Sequence, residues 1–114
     1  MTDKIAVLTT CESRLDADKI ANALVDARLA ACVNIVPMSS IYRWKGKVER
    51  AEELLLLIKT RRQLFDKLRA LLERIHPYEV PEVIALPIAD GSGAYLDWIE
   101  KETNADESAV PRAQ

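Results

Sequence analysis

A chain of 114 residues with 49% apolar and 30% charged side chains has the balance of one globular domain, spanning 1–114, that buries roughly two-thirds of the surface its unfolded form exposes. Its 16 basic and 18 acidic residues leave a net charge of -2, too weak a field to draw nucleic acid or an anionic membrane, and neither is expected as a partner. The longest unbroken apolar run, Leu54 to Ile58, is far short of the ~20 residues that span a bilayer, and Met1-Thr2-Asp3-Lys4 leads into a strand without a secretion signal, which predicts a cytoplasmic protein.

Lys4 to Thr10 is a short apolar run rich in strand formers, and Ser13-x-x-Asp16 reads as a capping box opening a helix. Ala17, Ile20, Ala21 and Leu24 recur at helical spacing up to about Arg28. Cys11 and Cys32 form neither a CxxC pair nor a dense framework, so both are expected as reduced thiols. From Ala31 to Trp44 the chain alternates as a bent second strand; Lys45-Gly46-Lys47 offers a tight reversal, and Val48 to Lys59 returns as the third strand of a long hairpin. Thr60-x-x-Gln63 is read as a second capping box ahead of the stripe Leu64, Leu68, Leu71, Leu72 and Ile75. Arg62, Asp66, Arg69 and Glu73 make its solvated, ion-paired side, and His76-Pro77 ends the helix. A fourth strand, Val83 to Leu86, lies between Pro81 and Pro87. Beyond Asp90-Gly91-Ser92-Gly93, Tyr95, Leu96, Trp98 and Ile99 suggest a short terminal helix, with a frayed tail over 103–114.

The order β-α-β-β-α-β predicts an α+β, ferredoxin-like sandwich, with both helices on one face of an antiparallel sheet and a long hairpin between the second and third strands. The other sheet face would be bare. Leu54-Leu55-Leu56-Leu57-Ile58 and Val83-Ile84-Ala85-Leu86 are nevertheless apolar on both sides, so a second cover is required, and self-association is the simplest one.

Four stretches, Leu29-Ala30-Ala31-Cys32-Val33-Asn34, Tyr42-Arg43-Trp44-Lys45-Gly46-Lys47, Leu57-Ile58-Lys59-Thr60 and His76-Pro77-Tyr78-Glu79-Val80-Pro81-Glu82, followed by Trp98, together resemble the CutA divalent-cation tolerance family over nearly the whole chain. The resemblance implies a tight homotrimer in which each long hairpin reaches onto a neighbour, and a role in tolerance of divalent cations. Some members of that family bind copper(II) through a cysteine near the end of the first strand and a His-His pair before Pro-Tyr. Here those positions fall on Thr9 and on Ile75-His76, so the metal candidates are His76 and, two residues beyond Thr9, Cys11. Copper(II) or another divalent cation is a candidate ligand, none is required for folding, and binding should be weaker than in those relatives.

Cys32, Tyr42, Trp44, Glu53, Lys59, His76, Tyr78 and Glu79 are the candidates for a cleft between subunits, where charges on a covered face must be paired or solvated. An architectural likeness to PII-type regulators makes a small anionic metabolite the alternative ligand, and a trimeric scaffold without direct metal binding is a further reading. No G-x-S-x-G, phosphate-cradling glycine loop or H-E-x-x-H occurs, and catalysis is not expected.

Overall fold

The computed structural model describes residues 2–103. Its elements are β1 (Lys4–Cys11), α1 (Arg14–Asp26), β2 (Cys32–Trp44), β3 (Lys47–Arg61), a single 3-10 turn (Arg62–Leu64), α2 (Phe65–Ile75), β4 (Ile84–Pro87) and α3 (Gly93–Glu102). The strands form one sheet in the order β2-β3-β1-β4, every neighbouring pair antiparallel, which is the α+β arrangement the element order implies. No helix among the described residues is long and apolar enough to cross a membrane.

Local chemistry explains where the elements begin and end. Ser13 Oγ accepts from the Asp16 amide at 3.0 Å and satisfies one of the orphan donors at the start of α1. At its other end Arg28 takes φ 59, its amide donates to Val25 O at 3.0 Å, and the Leu29 amide donates to Leu24 O at 3.0 Å. This is a Schellman closure with arginine where glycine is usual, and the buried pair Leu24 and Leu29 packs across it. Lys45 and Gly46, both at positive φ, form a two-residue reversal whose twist matches the flanking strands. Arg69 pairs with Glu73 at 3.2 Å and with Asp66 at 3.9 Å on the exposed side of α2.

The expected cap at Thr60-x-x-Gln63 does not form. Thr60 is fully buried and its hydroxyl donates to Leu29 O at 2.7 Å, while Gln63 reaches Asp3 Oδ2 at 3.0 Å. A tertiary acceptor has won the hydroxyl from the local one, and β3 runs on to Arg61. Of the tail expected to fray over 103–114, residues 104–114 lie outside the described residues, and Thr103 is fully buried. Arg61 holds it there: Nε donates to Thr103 Oγ1 at 3.1 Å and Nη2 to Thr103 O.

Register places the two sheet faces. Ile5 and Val7 of β1 and Leu56 and Ile58 of β3 lie under the helices, packed with Ala17, Ile20 and Leu24 of α1 and Leu68 and Leu72 of α2. The opposite face carries Leu8 beside Leu57 and Ile84, Ala6 beside Leu86, and Leu55 beside Val36. On this face Val36, Ile84 and Leu86 remain 40–47% exposed.

At its far end this face is fastened to α3. Lys4 and Arg61, register partners and both buried, share the carboxylate of Glu100 on α3, each at 2.8 Å. Beyond the Cys11–Leu54 pair, β2 and β3 continue without β1 as a two-stranded ribbon that projects roughly 20 Å at ~3.4 Å per residue.

Candidate functional site

The segment joining α2 to β4 folds back against the base of the ribbon. Between them lies a cleft of about 730 Å³, with Thr10 and Glu12 in its lining. Five of the eight candidate cleft residues, Tyr42, Trp44, Glu53, Tyr78 and Glu79, line it together. Cys32 and Lys59 do not. They are register partners at the other end of the hairpin, where Lys59 Nζ donates to Asn34 Oδ1 and Cys32 Sγ lies 3.6 Å from the same oxygen.

His76 stands behind the cleft wall, buried, with both ring nitrogens engaged. Nδ1 accepts from the Tyr78 amide at 3.1 Å, so the ring proton sits on Nε2 and is donated to Thr10 O at 2.8 Å. The Tyr78 ring lies 4.8 Å from the imidazole, and its hydroxyl donates to Glu53 Oε2 at 2.8 Å. Burial, reinforced by the Glu53 carboxylate, holds that phenol far above its ordinary range, so Tyr78 acts only as a donor. A continuous path of hydrogen bonds thus ties β1 through His76 and Tyr78 to the base of the ribbon.

These contacts decide how a copper ion would fit. Cys11 is fully buried on the helix-facing side, with Sγ 3.8 Å from Ser13 O. Burial, then the nearby Asp16 and Glu53 carboxylates, pushes its thiol up to about 11, away from the thiolate that coordinates metal. Thr9, also fully buried, has a hydroxyl without a partner among the described residues, and Ile75 packs against the core. No group of three or more His, Cys, Asp or Glu side chains among the described residues could hold a metal ion. With both nitrogens of His76 committed to the backbone, the implied copper ligand set does not fit the residues present.

The same geometry sets a pH dependence. Burial, opposed by the Thr10 carbonyl and by Asp16 and Glu53, leaves the His76 pKa below the ordinary 6.5. The unfolded chain therefore binds the proton more readily, so the contribution of His76 is complete above 6.5 and is lost as pH falls through that value toward the lower folded one. Denaturant midpoints are expected to drop between pH 7.5 and pH 5.5 in the wild type and to change less in His76→Gln; equal slopes would remove His76 as the cause.

The sequence reading missed Glu12 and Glu82, which bring the cleft carboxylates to four beside Glu53 and Glu79, with no lysine or arginine in the lining. Glu82 closed a motif that had already been singled out. Glu12 carried no signal, because its place follows only from where β1 stops.

The sequence model described as CutA1 divalent ion tolerance protein matches residues 5–102. The divalent-cation tolerance protein CutA of Thermus thermophilus is 55% identical over 98 residues, covering 85% of this chain and 95% of its own length. A solved structure of the Cut A1 protein from that organism superposes with a TM-score of 0.86 at 53% identity, covering 89% of this chain and 99% of the other. Protein CutA of Mus musculus is 46% identical over 101 residues, which are 88% of this chain but 57% of the mouse protein, so this chain corresponds to little more than half of that relative.

Proposed function

The chain belongs to the CutA1 divalent ion tolerance family, and from that premise we propose that it serves divalent-cation tolerance in the cytoplasm as a non-catalytic homotrimer closed over the bare sheet face. The observation that carries this reading is that face. Leu8, Leu55, Leu57, Ile84 and Leu86 form one apolar surface, two of them 47% exposed, while the ribbon beside it is too thin to be stable without a partner surface. A second copy presents the same apolar chemistry, and closed symmetry hides every such face without leaving an open end. Three copies is the number that the family resemblance implies.

Direct copper binding at His76 and Cys11 is not part of this proposal, because the imidazole is fully hydrogen-bonded and the thiol is held protonated. Tolerance would instead come from the assembled surface and its clefts.

The test is complementation. Cells lacking this gene and challenged with copper(II) should regain growth with the wild type and with Cys11→Ser, but not with Leu57→Glu. Equal rescue by Leu57→Glu would overturn the role of the assembly, and no loss of tolerance on deletion would overturn the tolerance reading.

A further inference from the structure

The bare sheet face is charged unevenly along its length. Its rows follow from the register: Ala6, Lys59 and Cys32 lie side by side at one end, Leu8 and Leu57 come next, and Leu55 lies beyond them. The following row brings Glu53, and with it the cleft that Glu79 and Glu82 also line. A cation therefore stands at one end of an apolar band and carboxylates at the other.

Neither end is neutralised within one chain. Lys59 is half-buried, and its Nζ donates to the neutral amide oxygen of Asn34, with no carboxylate at ion-pair distance among the described residues. No lysine or arginine stands in the cleft lining, and Glu53 accepts from the Tyr78 hydroxyl, a neutral donor. Lys59 and Glu53 are both on β3, separated by roughly 20 Å at ~3.4 Å per residue, so no rotamer of Lys59 brings the two together.

These charges constrain what can cover the face. Covering Lys59 without a carboxylate encloses an unpaired charge, and covering the glutamates without a cation encloses several. A second copy laid parallel would set lysine on lysine and glutamate on glutamate, which like-charge repulsion disfavours. A copy laid head to tail meets both requirements at once. Repeated around a closed ring, that contact leaves neither end of any copy unpaired.

We propose that the cleft of each protomer is closed by Lys59 of a neighbouring copy, its ammonium paired with the carboxylates of Glu53, Glu79 and Glu82, and that this contact sets the direction in which copies join. The inference rests on the reading that further copies cover this face, and it adds the residue that the neighbour contributes.

Sedimentation equilibrium of the full chain over a dilution series tests it, with circular dichroism to confirm that each variant is folded. Lys59→Glu and Glu79→Lys/Glu82→Lys should each dissociate at a concentration at least tenfold higher than the wild type, and Lys59→Met at one several-fold higher. The triple variant Lys59→Glu/Glu79→Lys/Glu82→Lys, in which every contact is complementary again, should regain most of the loss. Glu79 and Glu82 are exposed in the single chain, so the double variant should fold normally, and if Lys59→Glu does not fold, Lys59→Met and the double variant decide by the same measure. Wild-type dissociation in the Lys59 and glutamate variants, or a triple variant no tighter than either parent, would overturn this contact and leave the assembly standing. A monomeric wild type would instead overturn the reading on which it rests.

Discussion

Replacing Leu57 by glutamate is expected to abolish assembly and to lower the melting temperature sharply. Leu57 sits in β3 on the bare face, between Leu8 of β1 and Asn34 of β2. In an isolated chain this position is half-buried and a carboxylate there could reach water, so the cost would be small. Under a neighbouring copy the charge would be enclosed without a partner, which costs about 3–5 kcal/mol at each interface. A monomer that is still folded would then expose the apolar face and associate non-specifically. Light scattering and thermal unfolding of Leu57→Glu check this, and a variant with unchanged mass and melting temperature would remove the covered face from the account.

The second large effect is expected at Glu100, where α3 is fastened to the sheet. Lys4 and Arg61 are side by side, 8% and 4% exposed, and Glu100 reaches both at 2.8 Å. Asp3 also pairs with Lys4, and Thr103 with Arg61, but Glu100 is the carboxylate they share. Glu100→Leu leaves two neighbouring buried cations without it. Removing one partner of a fully buried pair costs about 3–5 kcal/mol; because Glu100 is half exposed and solvent already screens it, about 2–3 kcal/mol is expected here. Adding Lys4→Leu to Glu100→Leu removes one stranded charge and should recover part of the loss. Urea unfolding of the single and double variants measures both, and a Glu100→Leu midpoint equal to wild type would show that the Glu100 ion pairs do not hold α3.

Much of the fold was legible because its signals were local. The alternation through β2, the stripe Leu64, Leu68 and Leu72, Ser13 before α1, and the glycine at the hairpin tip each report on neighbours within a few residues. The two-sided apolar strands also pointed to a face that the helices leave bare, and Ile84 and Leu86 lie on it. Errors arose where a distant group decided the outcome. Thr60 looks like a helix cap until Leu29 O is seen beside it, and Thr103 looks like the start of a tail until Arg61 reaches it.

The candidate site divides along the same line. Tyr42, Trp44, Glu53, Tyr78 and Glu79 were recognisable from motifs and do share a cleft, whereas Cys32 and Lys59 carry equally specific motifs and lie elsewhere, since only the strand register shows how far along the hairpin each residue falls. The state of His76 was out of reach as well. Whether a lone histidine ligates, titrates or braces depends on what meets its two nitrogens, here a carbonyl from β1 and an amide two residues on.

The central claim, that the bare sheet face is covered by further copies of this chain, is tested most directly by sedimentation equilibrium of the wild type at micromolar concentration. A single species of three times the 12.8 kDa chain mass, unchanged on tenfold dilution, is expected. A stable, well-folded monomer of 12.8 kDa under the same conditions would contradict it.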